Sequence, residues 1–409
     1  MDEISSVNSL QVFYRDCLVG TLSNTTDHTR CTFQYDKTWL ANGFALSPLE
    51  LPLKSDLFIA EPTPFYGNFG VFEDSLPDGY GRYLLNRLLK KSGINDFGLT
   101  PLQRLAIVGS SGMGALRYVP EILQGEAKQL PELELLQQMA LDVLGEKTID
   151  GADTLYYSSG NSGGCRPKCI LNDETGSWIV KFRHIYDPID AGEQEYHYLQ
   201  LAKACQIDIP ECKLLQGKYL ATKRFDLDVQ GNPLHVVTAA GLLRESINPP
   251  KTDYKVLLAL TGFMTQDPKA VEQMFRRMVF NVLIGNKDDH AKNFSFVYAE
   301  NKWRLAPAYD LTRCEQGYNG EHATSVMGKG NPQEEDLVAA GKTIRIAGDD
   351  KPVNVVKSQF LKLNASHVEY VMDCMKQNST KVRNIKQYLL AAIYNAPFTM
   401  ESYYQTLVN

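Results

Sequence analysis

At 409 residues, 44% hydrophobic and 22% charged, the chain is long enough for roughly two or three globular domains with real cores. Its formal net charge of −6 argues against nucleic acid as the default partner, because proteins that neutralise phosphates carry a basic excess. Eight cysteines without a C-x-x-C pair point to free thiols. With an acidic, polar N-terminus and its longest apolar runs, such as VLLAL (256–260), too short to span a bilayer, a cytoplasmic protein with no secretory signal and no membrane partner is expected.

In chain order, LQVFY, LVGTL and TFQYD within residues 10–60 are short β-prone runs between polar breaks. FEDSLPDGYGRYLLNRLLKK (72–91) begins with turn residues and passes into a helix carrying Tyr83, Leu84, Arg87 and Leu88. Residues 102–120 read helix, glycine-rich turn, strand, and the polar QGEAKQLPE (124–132) marks a domain boundary. PKCIL (167–171) and SWIVKF (177–182) flank the turn NDETG as an antiparallel pair. A helix runs from about Glu193 to Cys205, its apolar face set by Tyr198, Leu201, Ala202 and Cys205. KYLATKRF (218–225) and PLHVVT (233–238) then flank DLDVQGN as a second hairpin. Beyond Asp253 the pattern is mainly helical. In VEQMFRRMVFNVLIG, Val271, Met274, Phe275, Met278, Val279, Val282 and Leu283 form one stripe and Gly285 stops the helix.

The segment after Gly285 carries the chemistry. Asp288 and Asn293 stand in a D-x-x-x-x-N spacing, a hairpin FSFVY–AENK–WRLAP comes next, and Asp310 closes the set. Phosphoryl transfer from ATP needs a carboxylate for the hydroxyl proton, with an amide and a second carboxylate for the magnesium ions. Asp288, Asn293 and Asp310 reproduce that order. The spacing alone is a weak signal, since a loop Asp or Asn is more often a turn former or cap. Asp289 is the alternative reactive carboxylate, although only Asp288 has the five-residue spacing. His290 is either a metal ligand or a brace for the loop, and Lys292 either meets phosphate charge or faces solvent.

An ATP site also needs a lysine with an acidic helix partner. Lys181 lies in the apolar strand WIVKF, where an unpartnered ammonium is costly, although a strand-edge lysine snorkelling to water is the plain alternative. Glu195, three residues before Tyr198, supplies the partner. Residues 158–164, SSGNSGG, read as a flexible turn whose backbone N–H groups suit phosphate oxygens.

Assembled, these residues resemble the HipA family of bacterial toxin kinases. The resemblance is carried by WLANGFALSPLELPL (39–53), FEDSLPDGYGR (72–82), IVGSSGMGALRYVPE (107–121), SGGCRPK (162–168), IVKF (179–182), EYHYLQLAKACQIDIP (195–210), KRFD (223–226), GNKDDHAKNFS (285–295) and LAPAYD (305–310). It implies an α+β, two-lobed protein-kinase-like fold with a mainly β N-terminal subdomain (1–125), a small lobe (126–226) and a helical catalytic lobe (227–409). It implies a serine/threonine kinase using ATP and Mg2+. Asp288 would be the base, Asn293 and Asp310 the metal ligands, and Lys181 the phosphate lysine. Lys223, Arg224 and Phe225 would form the adenine hinge, and Gly160 to Gly164, with Ser162, Gly163 and Gly164, the phosphate loop; His290 and Lys292 would also line the ATP site. The family's partners are a HipB-like helix-turn-helix antitoxin, through which operator DNA is bound, and a protein substrate such as an aminoacyl-tRNA synthetase.

One position departs from the pattern. The family often has a loop serine that autophosphorylates, and here that position holds Asn161; Ser162, Ser159 or Ser158 are the candidates to replace it. The rival readings are a small-molecule kinase, a nucleotide-binding pseudokinase acting as a co-repressor scaffold, and a metal-dependent hydrolase built on Asp288, Asp289, His290 and Asp310.

Overall fold

The computed structural model describes residues 4, 6–91, 93–94, 98–112, 114–123, 130–148, 150–159 and 163–342. The backbone gathers into two compact units, one of Met1–Glu193, Glu211–Ser246 and Ser295–Trp303, the other of Gln194–Pro210, Ile247–Phe294 and Arg304–Asn409. Strands are numbered in chain order, as are helices of two turns or more.

The first unit opens with β1 (Ser9–Tyr14), β2 (Cys17–Asn24), β3 (Cys31–Tyr35) and β4 (Phe58–Ile59). Along β1 the burial alternates, Leu10 and Val12 inside and Ser9 and Gln11 outside, as the period of two requires. Helices α1 (Gly79–Lys91) and α2 (Pro101–Val108) come next, the latter opened by a Thr100/Gln103 capping box. Strand β5 (Leu116–Val119) then completes an antiparallel sheet of order β4-β3-β2-β1-β5. Helices α3 (Leu133–Leu144) and α4 (Ala152–Ser159) lead to β6 (Lys168–Asp173) and β7 (Gly176–Lys181), the hairpin expected from NDETG.

Helix α5 (Ala191–Ala204) separates that hairpin from β8 (Cys212–Leu215) and β9 (Tyr219–Lys223). Here the structure corrects the sequence reading. The partners of β9 are β8 and β7, in a sheet of order β6-β7-β9-β8, and the strand at 233–238 belongs elsewhere. The β8–β9 hairpin is made by Gln216 and Gly217, both left-handed (φ 51° and 72°), the paired geometry that matches strand twist. One face of this sheet, with Cys169, Trp178, Val180, Tyr219 and Ala221, packs on Leu84, Leu85, Leu136, Val143, Leu155 and Tyr156 of α1, α3 and α4. Each leucine and valine among them contributes about 1.5–3 kcal/mol by burial, so this core anchors the sheet.

Strand β10 (His235–Thr238) pairs with β11 (Ser295–Ala299), which continues into β12 (Lys302–Leu305), giving the order β10-β11-β12. The hairpin foreseen around AENK is present, turned at Glu300 and Asn301.

In the second unit α6 (Tyr254–Thr265) and α7 (Pro268–Ile284) pack on one another. Asp267 caps α7 through the Lys269 N–H, Pro268 occupies its first position, and Gly285 ends it at φ 70°. The buried face of α7 is wider than the apolar stripe: it takes in Arg277 and Asn281, while Phe275, Val282 and Leu283 are only partly covered. Beyond Asp310 the chain runs through turns to α8 (Glu334–Lys342). Among the described residues no helix is long and apolar enough to cross a membrane.

Candidate active site

Residues 286–294 leave the rigid end of α7 as a loop with one short 3-10 turn at Ala291–Asn293. Its two neighbouring aspartates have opposite surroundings. The Asp288 side chain is 64% exposed, whereas Asp289 is fully buried. Asp289 accepts from the Tyr254 hydroxyl at 2.8 Å, from His322 Nδ1 at 3.2 Å and from the Thr324 N–H at 3.2 Å. Burial, and then the charge of Asp289, hold the Tyr254 hydroxyl protonated, well above its usual titration range, so it serves as a donor. A carboxylate engaged by three donors braces the loop, whereas the Asp288 side chain stands largely open to solvent.

The bracing extends to Asp310. Asn281 Nδ2 donates to the Tyr254 oxygen at 2.9 Å, and Asn286 Nδ2 donates to Asn281 Oδ1 at 3.0 Å and to the Asp310 carbonyl at 3.1 Å. The Tyr309 hydroxyl donates to the Lys292 carbonyl at 2.8 Å. The strand-side end of the same segment is held by Arg277, whose buried guanidinium donates to the Ala306 carbonyl at 2.6 Å, and by the Ala308 N–H on the Asp208 carbonyl at 2.7 Å. Burial lowers the Arg277 pKa to about 10, which leaves it charged at neutral pH. The loop bearing Asp288 and Asn293 and the segment bearing Asp310 are thus joined by side-chain bonds on both sides.

Asn293 donates through Nδ2 to the Asp288 carbonyl at 2.9 Å, which directs its Oδ1, a hard oxygen ligand, away from that backbone. Asp310 sits at φ 53°, a left-handed conformation that costs a non-glycine residue energy and is found at functional turns. An amide oxygen and a carboxylate are the donor set that Mg2+ prefers. His290 Nε2 lies 3.9 Å from Asp288 Oδ1, and its buried Nδ1 takes no hydrogen bond among the described residues. Lys292 is half-buried. None of Asn281, Asn286, Tyr254, Tyr309 and Arg277 was distinguishable as a site residue in the sequence, although Asn286 and Tyr309 lie inside GNKDD and PAYD.

The residues expected to handle nucleotide lie mostly in the first unit. Lys181 ends β7 on the face opposite Val180 and Trp178, opposite Lys168 across the β6–β7 pair. Lys168 is buried and its Nζ donates to the Gly163 carbonyl. The Gly164 N–H donates to Asp78 Oδ1 at 2.6 Å. Lys223 pairs with Glu211 at 3.0 Å, Arg224 makes a two-point pair with Asp226, and Phe225 is half-buried beside them in sequence. Ser158 and Ser159 are not in a turn: they close α4, buried, with hydroxyls donating to the Thr154 and Tyr156 carbonyls. Gly160, Asn161 and Ser162 lie outside the described residues. In the second unit Glu195 is buried on α5.

Residues 160–382, more than half the chain, match the HipA-like C-terminal domain, and residues 10–119 match the HipA N-terminal domain. The chain belongs to the HipA family. Among relatives, the serine/threonine-protein kinase toxin HipA of Shewanella oneidensis is 24% identical over 75% of each chain. Y4mE of Sinorhizobium fredii is 28% identical over 75% of this chain and 77% of its own. Y4dM of the same organism is 31% identical over 37% of this chain, an alignment spanning 41% of that protein. The Shewanella oneidensis HipA structure, solved with HipB and operator DNA, superposes with a TM-score of 0.65 at 20% identity, covering 95% of this chain and 96% of its own. That likeness establishes the fold as the kinase-like one of HipA. Membership of the family, with its kinase relatives, makes the protein a kinase.

Proposed function

We propose that this protein transfers the γ-phosphoryl group of ATP, with Mg2+, to a serine or threonine of a protein substrate, as the toxin of a HipA/HipB-like pair. The observation that carries the reading is the double tie between the Asp288–Asn293 loop and the Asp310 segment, through Asn286 on one side and Tyr309 on the other. Phosphoryl transfer asks for positioned charge rather than covalent chemistry, so a rigid frame beneath an exposed carboxylate is what the reaction requires.

In this reading Asp288 orients the acceptor hydroxyl and takes its proton, and Asn293 and Asp310 hold the metal. Magnesium, when bound, supplies charge neutralisation at the phosphates. Lys181 meets the α/β-phosphates and Glu195 is its acidic helix partner. Residues 223–225 receive adenine, and Gly163 and Gly164 belong to the phosphate loop. The functional segments are 1–125, 126–226 and 227–409. A HipB-like antitoxin is the protein partner, with DNA reached only through it, in line with the HipA–HipB–DNA complex of the Shewanella relative. The substrate class is a translation factor such as an aminoacyl-tRNA synthetase, and the compartment is the cytoplasm. If a loop serine is self-modified, Ser162 is preferred over Ser158 and Ser159, whose hydroxyls are buried in helix-end hydrogen bonds.

The test is to incubate the protein with γ-labelled ATP and cell lysate beside Asp288→Asn. Protein label that disappears in the variant is expected. Label confined to small molecules would transfer the reading to a small-molecule kinase, and nucleotide binding without transfer would leave a scaffold.

A further inference from the structure

The segment SLPDGYGR (75–82) holds none of the residues proposed for catalysis or metal binding, yet it reaches the glycine pair Gly163–Gly164. Asp78 precedes α1, and its carbonyl accepts the Arg82 N–H at 3.3 Å. Its carboxylate reaches 86 residues along the chain to receive the Gly164 N–H at 2.6 Å. Two residues on, the Tyr80 N–H donates to the Gly164 carbonyl at 3.1 Å. Both polar backbone atoms of Gly164 are therefore held by one short stretch of chain. Gly79 between them sits at φ 44°, and a Cβ there would fall 2.6 Å from the Gly164 oxygen, so this approach demands glycine. On its other side Gly163 is fastened through its carbonyl by Lys168 Nζ.

We infer that Asp78 is a positioning residue for the phosphate-binding turn, acting through Gly164, so that this limb of the turn is already ordered when nucleoside triphosphate arrives. The inference rests on the ATP reading of the site. A glycine turn left untied would have to be ordered at binding, and that entropy would be charged against affinity. An N–H to carboxylate bond is among the stronger tethers, and its partner is the turn's own backbone. A residue that merely secured the fold would affect every ligand alike; one that orders a phosphate turn affects ligands with phosphates and spares those without.

The experiment compares ATP and adenosine binding to the full chain by calorimetry, in wild type, Asp78→Ala and Asp78→Asn. Losing this charge-assisted bond in Asp78→Ala is expected to weaken ATP about tenfold and leave adenosine unchanged. Asp78→Asn keeps an acceptor oxygen and is expected to stay within about threefold of wild type. Equal weakening of both ligands, or of neither, overturns the inference and leaves the kinase reading intact. A wild type that binds neither ligand overturns the kinase reading itself. Should Asp78→Ala not fold, hydrogen exchange on the wild type decides: the Gly164 amide must be protected, and more so with ATP, and exchange at the unprotected rate refutes the tether.

Discussion

Asp288 and Asp289 are chemically identical neighbours, and replacing each by alanine separates catalysis from architecture. Asp288→Ala removes a largely exposed side chain, so stability should stay within about 0.5 kcal/mol of wild type. Phosphoryl transfer should nevertheless fall by about 10²–10⁴, the usual contribution of a positioned proton acceptor. Asp289→Ala strands three donors in the interior: the Tyr254 hydroxyl, His322 Nδ1 and the Thr324 N–H. Each would cost about 1–3 kcal/mol alone, and since neighbours are not additive the loss should come to about 3–5 kcal/mol. For a unit of this size that lowers the melting temperature by roughly 6–20 °C. Thermal unfolding by circular dichroism and label transfer at a temperature where both variants are folded give the two readouts. An Asp289→Ala chain that melts within 2 °C of wild type, or an Asp288→Ala chain that still transfers phosphate, would falsify the division of roles (the 2 °C margin being about the error expected of one such comparison).

Tyr309→Phe deletes one neutral hydrogen bond to the Lys292 carbonyl, worth about 1 kcal/mol, and should lower the transfer rate more than ATP affinity, measured by kcat against ATP Kd. His235 is buried against the Leu46 carbonyl, and burial depresses its pKa from 6.5 to about 4. The unfolded chain therefore takes the proton first, and stability that is complete above pH 6.5 should fall by at most about 3 kcal/mol as the pH drops to 4. Denaturant unfolding across that range should show a shallower slope for His235→Gln. Glu50 gives the opposite sign: burial lifts its pKa to about 7, against the bond from the Gly70 N–H and the Arg244 charge. Its stability is full below pH 4.5 and lost as the pH rises through 7, so Glu50→Gln should outlast wild type at pH 8 and lose that advantage at pH 4. An equal advantage at both values would refute the assignment.

The sequence was most readable where one local rule governed one element. A β-prone run between polar breaks marked β1, and the helical stripe and Gly285 marked the end of α7, so the spacing from Asp288 to Asn293 could be placed on a loop. It was least readable where partners lay far apart. Arg277 and Asn281 look like polar-face residues by periodicity, and only the carbonyl of Ala306 and the hydroxyl of Tyr254 explain why they are inside. No local pattern distinguishes Asp289 from Asp288, because the donors that bury it sit 35 residues away in either direction, at Tyr254 and Thr324. The mistaken hairpin had a nearer cause. DLDVQGN is a strong turn sequence and does form a local turn, bridged between Leu227 and Pro233, but the two residues Gln216 and Gly217 make the tighter hairpin. Ser158 and Ser159 read as loop residues by composition, yet helix-end bonds to Thr154 and Tyr156 satisfy their hydroxyls.

The pairing of β10 with β11 has a consequence for how the chain is made. His235 and Tyr298 stand opposite one another, so β10 leaves the ribosome about 60 residues ahead of its neighbour, roughly 3–12 s at ordinary rates of translation. During that interval its backbone edge and the apolar Val237 await a partner that emerges only after the entire Asp288–Asn293 loop. The first unit therefore cannot be finished by a nascent chain that has not yet delivered the Asp288–Asn293 loop, and a message truncated between the two strands should yield an aggregation-prone fragment rather than a folded, inactive one.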